Sequence, residues 1–283
     1  MCHDDGTDPA KRWRSRRCVA LPAAILAAAI VLAVPPAGRL AAQDRPADPE
    51  TMARYGDCLA RAEAAPAATA DQARDRRQAA GDTAAGALAT HCMAVALVAG
   101  GSYAQAATAL QTLVARLPPA LAANPGLRLE LQIQTGHAWL LTQQPDLAEA
   151  MFDSALEADP QTAARWSDRA RARADQGNWP GARADLDQAL RLDPEDAGIY
   201  ALRASAWRQD GNIARALEDV ELALALAPHL PEALLERGLL RRAQGDLAGA
   251  RQDWLQLRLD APDSVAAETA GRLLEDMDLK RAR

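Results

Sequence analysis

The chain has 283 residues, 49% of them apolar but only 4% aromatic, with a formal charge of -6 and four cysteines. Alanine and leucine carry most of the apolar share, and there are one Phe and three Tyr; this suits stacked helices and argues against a fold of strands, which favour β-branched and aromatic residues. The acidic balance, with no basic stripe interleaved with aromatics, argues against a general nucleic-acid binder.

The first segment stands apart. Lys11, Arg12, Arg14, Arg16 and Arg17 precede an apolar run over 18–36, and small residues follow as far as Ala42. This order predicts an export signal over 1–42, cleaved between Ala42 and Gln43. The alternative is retention of 18–36 as a membrane anchor. About 17 apolar residues is the lower limit for spanning a bilayer, and Pro22 among many alanines makes a poor permanent span, so cleavage is the preferred reading. Arg16 and Arg17 ahead of the run also fit twin-arginine export, beside which the general route stays open. The expected destination is the bacterial periplasm, or the inner membrane facing the periplasm if the anchor is kept. Six basic and three acidic residues precede Gln43, leaving 26 basic against 35 acidic, a net charge of -9. Residues 43–50, with two prolines and three acids, read as a short disordered lead.

From Leu129 to Ser264 the chain repeats every 34 residues without a gap. The columns include Pro160, Pro194, Pro228 and Pro262; Ala148, Ala182, Ala216 and Ala250; Gly136, Ala170, Ala204 and Gly238; and Phe152, Leu186, Val220 and Trp254. Such a period signals a stacked array. Within one unit, 166–176 reads as a first helix, 177–180 as a turn at Gly177, and 181–192 as a second helix closed before Pro194. A single hairpin cannot bury its apolar face, so the units must stack.

Tyr200, Ala204, Trp207, Gly211, Ala216, Val220, Ala223 and Pro228 together resemble the tetratricopeptide repeat pattern. The resemblance implies an all-α, right-handed solenoid of stacked helical hairpins, with repeats at 129–162, 163–196, 197–230 and 231–264. A divergent repeat at 87–120 keeps Gly101, Tyr103, Ala106, Leu110, Leu113 and Pro118 in phase. Residues 121–128 are an insertion in which Asn124-Pro125-Gly126 suggests a turn. Residues 51–86 are expected to form a degenerate hairpin, and 265–283 a polar capping helix.

Two polar columns call for a mechanism. Arg169, Arg203 and Arg237 recur in first helices, and Asp185, Asp219 and Asp253 in the second helices of the same units; the other two units lack both, with Thr135 and Met151 in one and Met93 and Ala109 in the other. Joint presence and absence predict one ion pair per hairpin, an arginine fork on a carboxylate, against the alternative of solvated charges. Once the signal is removed, Cys58 and Cys92 remain, one repeat apart, and in an oxidising compartment they are a candidate disulfide; two buried thiols are the alternative.

No catalytic, cofactor-binding or metal-binding constellation emerges. His91, His137 and His229 are scattered, and no phosphate loop or nucleophile elbow is found. The tryptophans at 139, 166, 179, 207 and 254 fall in repeat columns and are assigned to the core. The sequence therefore predicts a scaffold with a protein or peptide partner, no enzyme and no cofactor; membrane association would come only through a retained signal. The resemblance places Ile133, His137, Leu140, Ser167, Arg171, Ala174, Ala201, Ser205, Arg208, Leu235, Leu239 and Arg242 along the inner groove, where the three arginines could read acidic groups. The family's chaperone-tail clamps use lysine and asparagine in two inner columns. Here those columns hold Ser167, Ala201 and Leu235, and Arg171, Ser205 and Leu239, which argues against a chaperone-tail receptor.

Overall fold

The computed structural model describes residues 47–281, so the expected export signal, with Arg16, Arg17 and Ala42, lies outside the described residues. Within them the chain forms fourteen helices and no strand, and no helix is long and apolar enough to cross a membrane. Two compact units divide between Leu131 and Gln132.

The first unit contains α1 (Pro49–Ala62), α2 (Pro66–Ala80), α3 (Ala84–Ala99), α4 (Tyr103–Ala115) and the single turn α5 (Pro119–Ala122). Helix α1 starts inside the segment expected to be a lead, because the Asp48 carboxylate accepts from the Thr51 N–H at 2.7 Å and Pro49 suits a first helical position. Cys58 on α1 and Cys92 on α3 are joined as a disulfide, with Cα atoms 6.2 Å apart. One turn before Cys58, the buried Tyr55 hydroxyl lies 2.5 Å from Nδ1 of buried His91. Burial holds the Tyr55 hydroxyl well above its ordinary pKa.

Asn124-Pro125-Gly126 is not a turn. Pro125 opens α6 (Pro125–Leu141), and the Asn124 side chain accepts from the Leu127 N–H at 3.3 Å. Proline lacks the N–H that a first helical turn leaves unused, so Pro125 and Gly126 start a helix and the break in the chain falls earlier, at Ala123 and Asn124 between α5 and α6.

The second unit continues α6 into α7 (Pro145–Ala158), and then come three hairpins: α8 (Ala163–Asp175) with α9 (Trp179–Leu192), α10 (Ala197–Gln209) with α11 (Ile213–Leu226), and α12 (Pro231–Ala243) with α13 (Leu247–Asp260). The last helix is α14 (Val265–Arg281). The turns are shorter than expected, since Trp179 and Pro180 already belong to α9. A glycine with positive φ ends each first helix, at 77° for Gly177, 82° for Gly211 and 86° for Gly245. The next residue caps the second helix: Asn178 accepts from Gly181 N–H at 3.0 Å, Asn212 from Arg215 N–H at 3.2 Å, and Asp246 from Gly249 N–H at 2.8 Å. The first hairpin of the unit departs at both places. Gln143 takes a φ of 56°, and Gln144 makes no capping bond.

Inside each hairpin the small column meets the large one. Ala170 packs in one core with Leu186 and Ala182, while Phe152 closes on Gly136 and Trp254 on Gly238 so tightly that a methyl group on either glycine would overlap the ring. In α14 this column holds exposed Arg272, where no second helix could approach so closely. Ala267, Ala270 and Leu274 turn the other face of α14 into the core.

The arginine column forms the predicted forks. Arg169 donates to Asp185 at 3.0 and 2.7 Å, Arg203 to Asp219 at 2.8 and 2.7 Å, and Arg237 to Asp253 at 3.1 and 2.8 Å. All three aspartates are buried. The third nitrogen of each arginine reaches an acid on the second helix of the preceding hairpin: Asp153 at 2.7 Å, Asp187 at 2.7 Å and Glu221 at 3.6 Å. One guanidinium thus closes its own hairpin and ties it to the one before. A planar fork with five donors can do this, whereas a lysine cannot form the same planar bidentate contact.

Candidate functional site

The face built from first helices carries a cleft of about 290 Å³. Leu140 of α6, Ala174 of α8 and Leu202 of α10 line it, and Trp179 forms part of its wall. Ala170, Ala182 and Leu186 are almost wholly buried and make the floor. The rim is polar in two rungs, each joining residues one repeat apart: Arg171 with Ser205, and Asp175 with Gln209. Burial raises the Asp175 carboxyl above its ordinary value, and the Arg171 charge acts against that rise. The floor takes apolar groups and the rim offers a cation, a carboxyl, a hydroxyl and an amide.

Of the groove residues expected from the sequence, Leu140, Arg171, Ala174 and Ser205 meet in this cleft. Ile133 and Ala201 are buried. Ser167 is half-buried and its hydroxyl donates to the Ala163 carbonyl at 3.2 Å. Leu235 and Leu239 are half-buried on α12, outside the residues lining the cleft. His137 pairs with Asp168 on α8 at 2.8 Å, and its ring stacks at a tilt on Phe152 with centroids 5.4 Å apart.

Two of the three arginines expected to read acidic ligands are otherwise engaged. Arg208 donates to Glu236 at 2.6 and 3.2 Å in a half-buried fork, and Arg242 lies over the Trp254 ring at 5.5 Å. The column of Glu236 holds Leu202 and Asp168 in the two preceding repeats, while that of Arg208 holds Ala174 and Leu140, so the pairing does not recur and the period gave no signal of it. Arg171 alone of the three lies exposed.

The tryptophans divide as well. Trp254 is wholly buried, while Trp139, Trp166, Trp179 and Trp207 are half-buried, Trp139 and Trp166 packing against the core from its edge and Trp179 lining the cleft. Trp207 is a platform for Arg183, whose guanidinium carbon sits 4.0 Å from the ring centroid. In the preceding hairpin the same two columns hold Arg173 and Glu149, paired at 2.8 Å. A cation over a ring replaces an ion pair at one level of the stack. Among the described residues, no group of three or more His, Cys, Asp or Glu could hold a metal ion.

This arrangement defines an array of tetratricopeptide hairpins. Residues 167–231 and 232–264 match the tetratricopeptide repeat pattern, so the chain carries these repeats. The structure is similar to that of a thermophilic tetratricopeptide repeat protein of Thermus thermophilus, at 19% identity and a TM-score of 0.54, covering 66% of this chain and 99% of that one. It also resembles the MamA RS-1 double mutant, at 18% identity and a TM-score of 0.49, over 63% of this chain and 97% of that one. YrrB, a repeat protein described as having an unusual peptide-binding site, matches at 15% identity and a TM-score of 0.43, over 66% and 92% of the two chains. A search among curated proteins finds no match. At 19% identity the likeness to the Thermus thermophilus protein shows the fold: an all-α solenoid of tetratricopeptide hairpins.

Proposed function

We propose that this protein is a non-catalytic scaffold that binds an extended peptide or a partner helix across the first-helix face of its array, in the bacterial periplasm. The observation that carries this reading is the cleft between α6, α8 and α10, with its buried alanine and leucine floor and its exposed Arg171. A groove built on rigid helices exists before its ligand arrives, so little receptor entropy is lost on docking. Arg171 supplies one exposed cation for an acidic group on the partner; Arg208 and Arg242 are held by Glu236 and Trp254 and have no such part.

The periplasmic reading rests on the basic and apolar order of residues 1–42 and on the even pair Cys58 and Cys92, which suits an oxidising compartment. N-terminal sequencing of the exported form tests it: a start at Gln43 fits a soluble periplasmic protein, and an intact 1–42 makes 18–36 an anchor.

The binding reading is tested by affinity capture from an envelope extract, comparing the wild type with Arg171→Glu/Ser205→Tyr, a variant that reverses the rim charge and fills the cleft. A partner held by the wild type and lost from this variant supports the groove. Retention of every partner, with circular dichroism unchanged, overturns it.

A further inference from the structure

The first unit holds a second cleft, also about 290 Å³, between α1, α2 and α3. Its base is formed by the Cys58–Cys92 disulfide, Leu88 and Tyr55, all less than a tenth exposed. Alanines of α2 and α3, among them Ala80, Ala85 and Ala89, make the walls. Among the described residues, the ionisable side chains around this apolar space, Tyr55 apart, are Arg54 and Arg76, and no carboxylate lines it.

The two cations differ in availability. Arg54 is mostly exposed and pairs with Glu50 one turn earlier on α1. Arg76 is half-buried and has no carboxylate within ion-pair distance among the described residues; its one polar contact is a long 3.5 Å bond from Nη1 to the Arg54 carbonyl. Among the described residues, most of the donors of this guanidinium fork thus have no protein acceptor at the edge of an apolar cavity. In a chain of net charge -6, a pocket lined by two cations and no acid is a local inversion of sign.

We propose that this cleft binds a small amphiphilic carboxylate, its apolar body resting on Leu88 and the disulfide and its head group taken by the Arg76 fork. The volume, about 290 Å³, falls just below the roughly 300–1,000 Å³ usual for cavities that hold drug-sized ligands, which fits one medium-length chain or a single aromatic ring system. A carboxylate matches the planar fork in two bonds, and the surrounding alanines lower the local dielectric and strengthen them. The disulfide ties α1 to α3, two of the three helices that frame the cleft, so binding requires the oxidised protein.

The test is calorimetric titration of the oxidised full chain with decanoate, against decanol and decyltrimethylammonium. One saturable site for decanoate is expected, with binding of the alcohol and the cation at least about tenfold weaker. Arg76→Gln should lose about tenfold in decanoate affinity, equivalent to about 1.4 kcal/mol, and Ala89→Trp should remove the site by filling it. Circular dichroism and a count of free thiols establish that each variant is folded and oxidised. Absence of saturable decanoate binding, equal affinity for decanol, or wild-type affinity in folded Arg76→Gln overturns the proposal.

Discussion

Gly238 on α12 and Trp254 on α13 fit only as a pair: a Cβ at 238 would lie 2.7 Å from two atoms of the indole ring, which is wholly buried and donates from Nε1 to the Leu235 carbonyl at 3.3 Å. The same two columns hold Gly136 with Phe152, Ala170 with Leu186, and Ala204 with Val220. Glycine stands where the facing residue is aromatic and alanine where it is aliphatic, so the volume of each pair is conserved while its members change.

This yields a sign test. In the wild type, Gly238→Ala should cost about 2 kcal/mol, because overpacking a rigid core outweighs the gain of about 1 kcal/mol in helix propensity. In a Trp254→Leu background, which recreates the Ala170 and Leu186 pairing, the same change should be neutral or stabilising. Urea titration of the four proteins measures both, and a loss of equal size in the two backgrounds would remove the clash as the cause.

Arg203 and Asp219 offer the cleanest measure of the fork. Asp185 and Asp253 each meet a second arginine, Arg173 and Arg241, whereas Trp207 occupies that position in the middle hairpin. Removing Arg203 therefore strands a buried carboxylate. Arg203→Ala and Asp219→Ala should each cost about 3 kcal/mol, and a double-mutant cycle should return a coupling of about 2 kcal/mol. Zero coupling would make these charges independent of one another.

Gln143 is the weak turn. Its φ of 56° suits glycine, which stands at this column in the three following hairpins, and a side chain in that conformation costs about 1 kcal/mol or more. Gln143→Gly should raise stability by about 1 kcal/mol, read as a higher denaturation midpoint at unchanged slope. Gly211→Gln, the reverse change one hairpin removed, should lower it by a similar amount.

Two carboxyls should move stability in opposite senses with pH. Burial pushes Glu149 up, but hydrogen bonds from Arg173 and Gln176 overcome this and hold its pKa below the ordinary 4.5. Its stabilisation is therefore present above 4.5 and is lost as pH falls through the lower folded value. Burial raises Asp175 above its ordinary 3.8, against the pull of Arg171, so its contribution is present below 3.8 and is lost as pH rises through the folded value. Glu149→Gln should flatten the acid limb of a melting-temperature profile, and Asp175→Asn should raise the melting temperature at neutral pH relative to the acid end.

The sequence by itself determined the repeat, the hairpins and the partners lying sixteen residues apart within one hairpin. A period of 34 fixes which columns face each other, and alanine, glycine and proline have strong local preferences that need no tertiary context. It also placed Cys58 and Cys92 on successive first helices, one repeat apart. Tertiary structure decided whatever depends on contacts between neighbouring hairpins and on depth below the surface. The acids at 153, 187 and 221 form a column as regular as the aspartates, yet only the spacing of packed second helices shows that one guanidinium spans both. Arg208 stands in a groove column, yet Glu236 of the following hairpin holds it, and Asp175 and Gln209 join the cleft because α8 and α10 lie side by side. A repeat records what every unit must do, while a binding surface is made from the residues in which the units differ, and their neighbours are set by the stack.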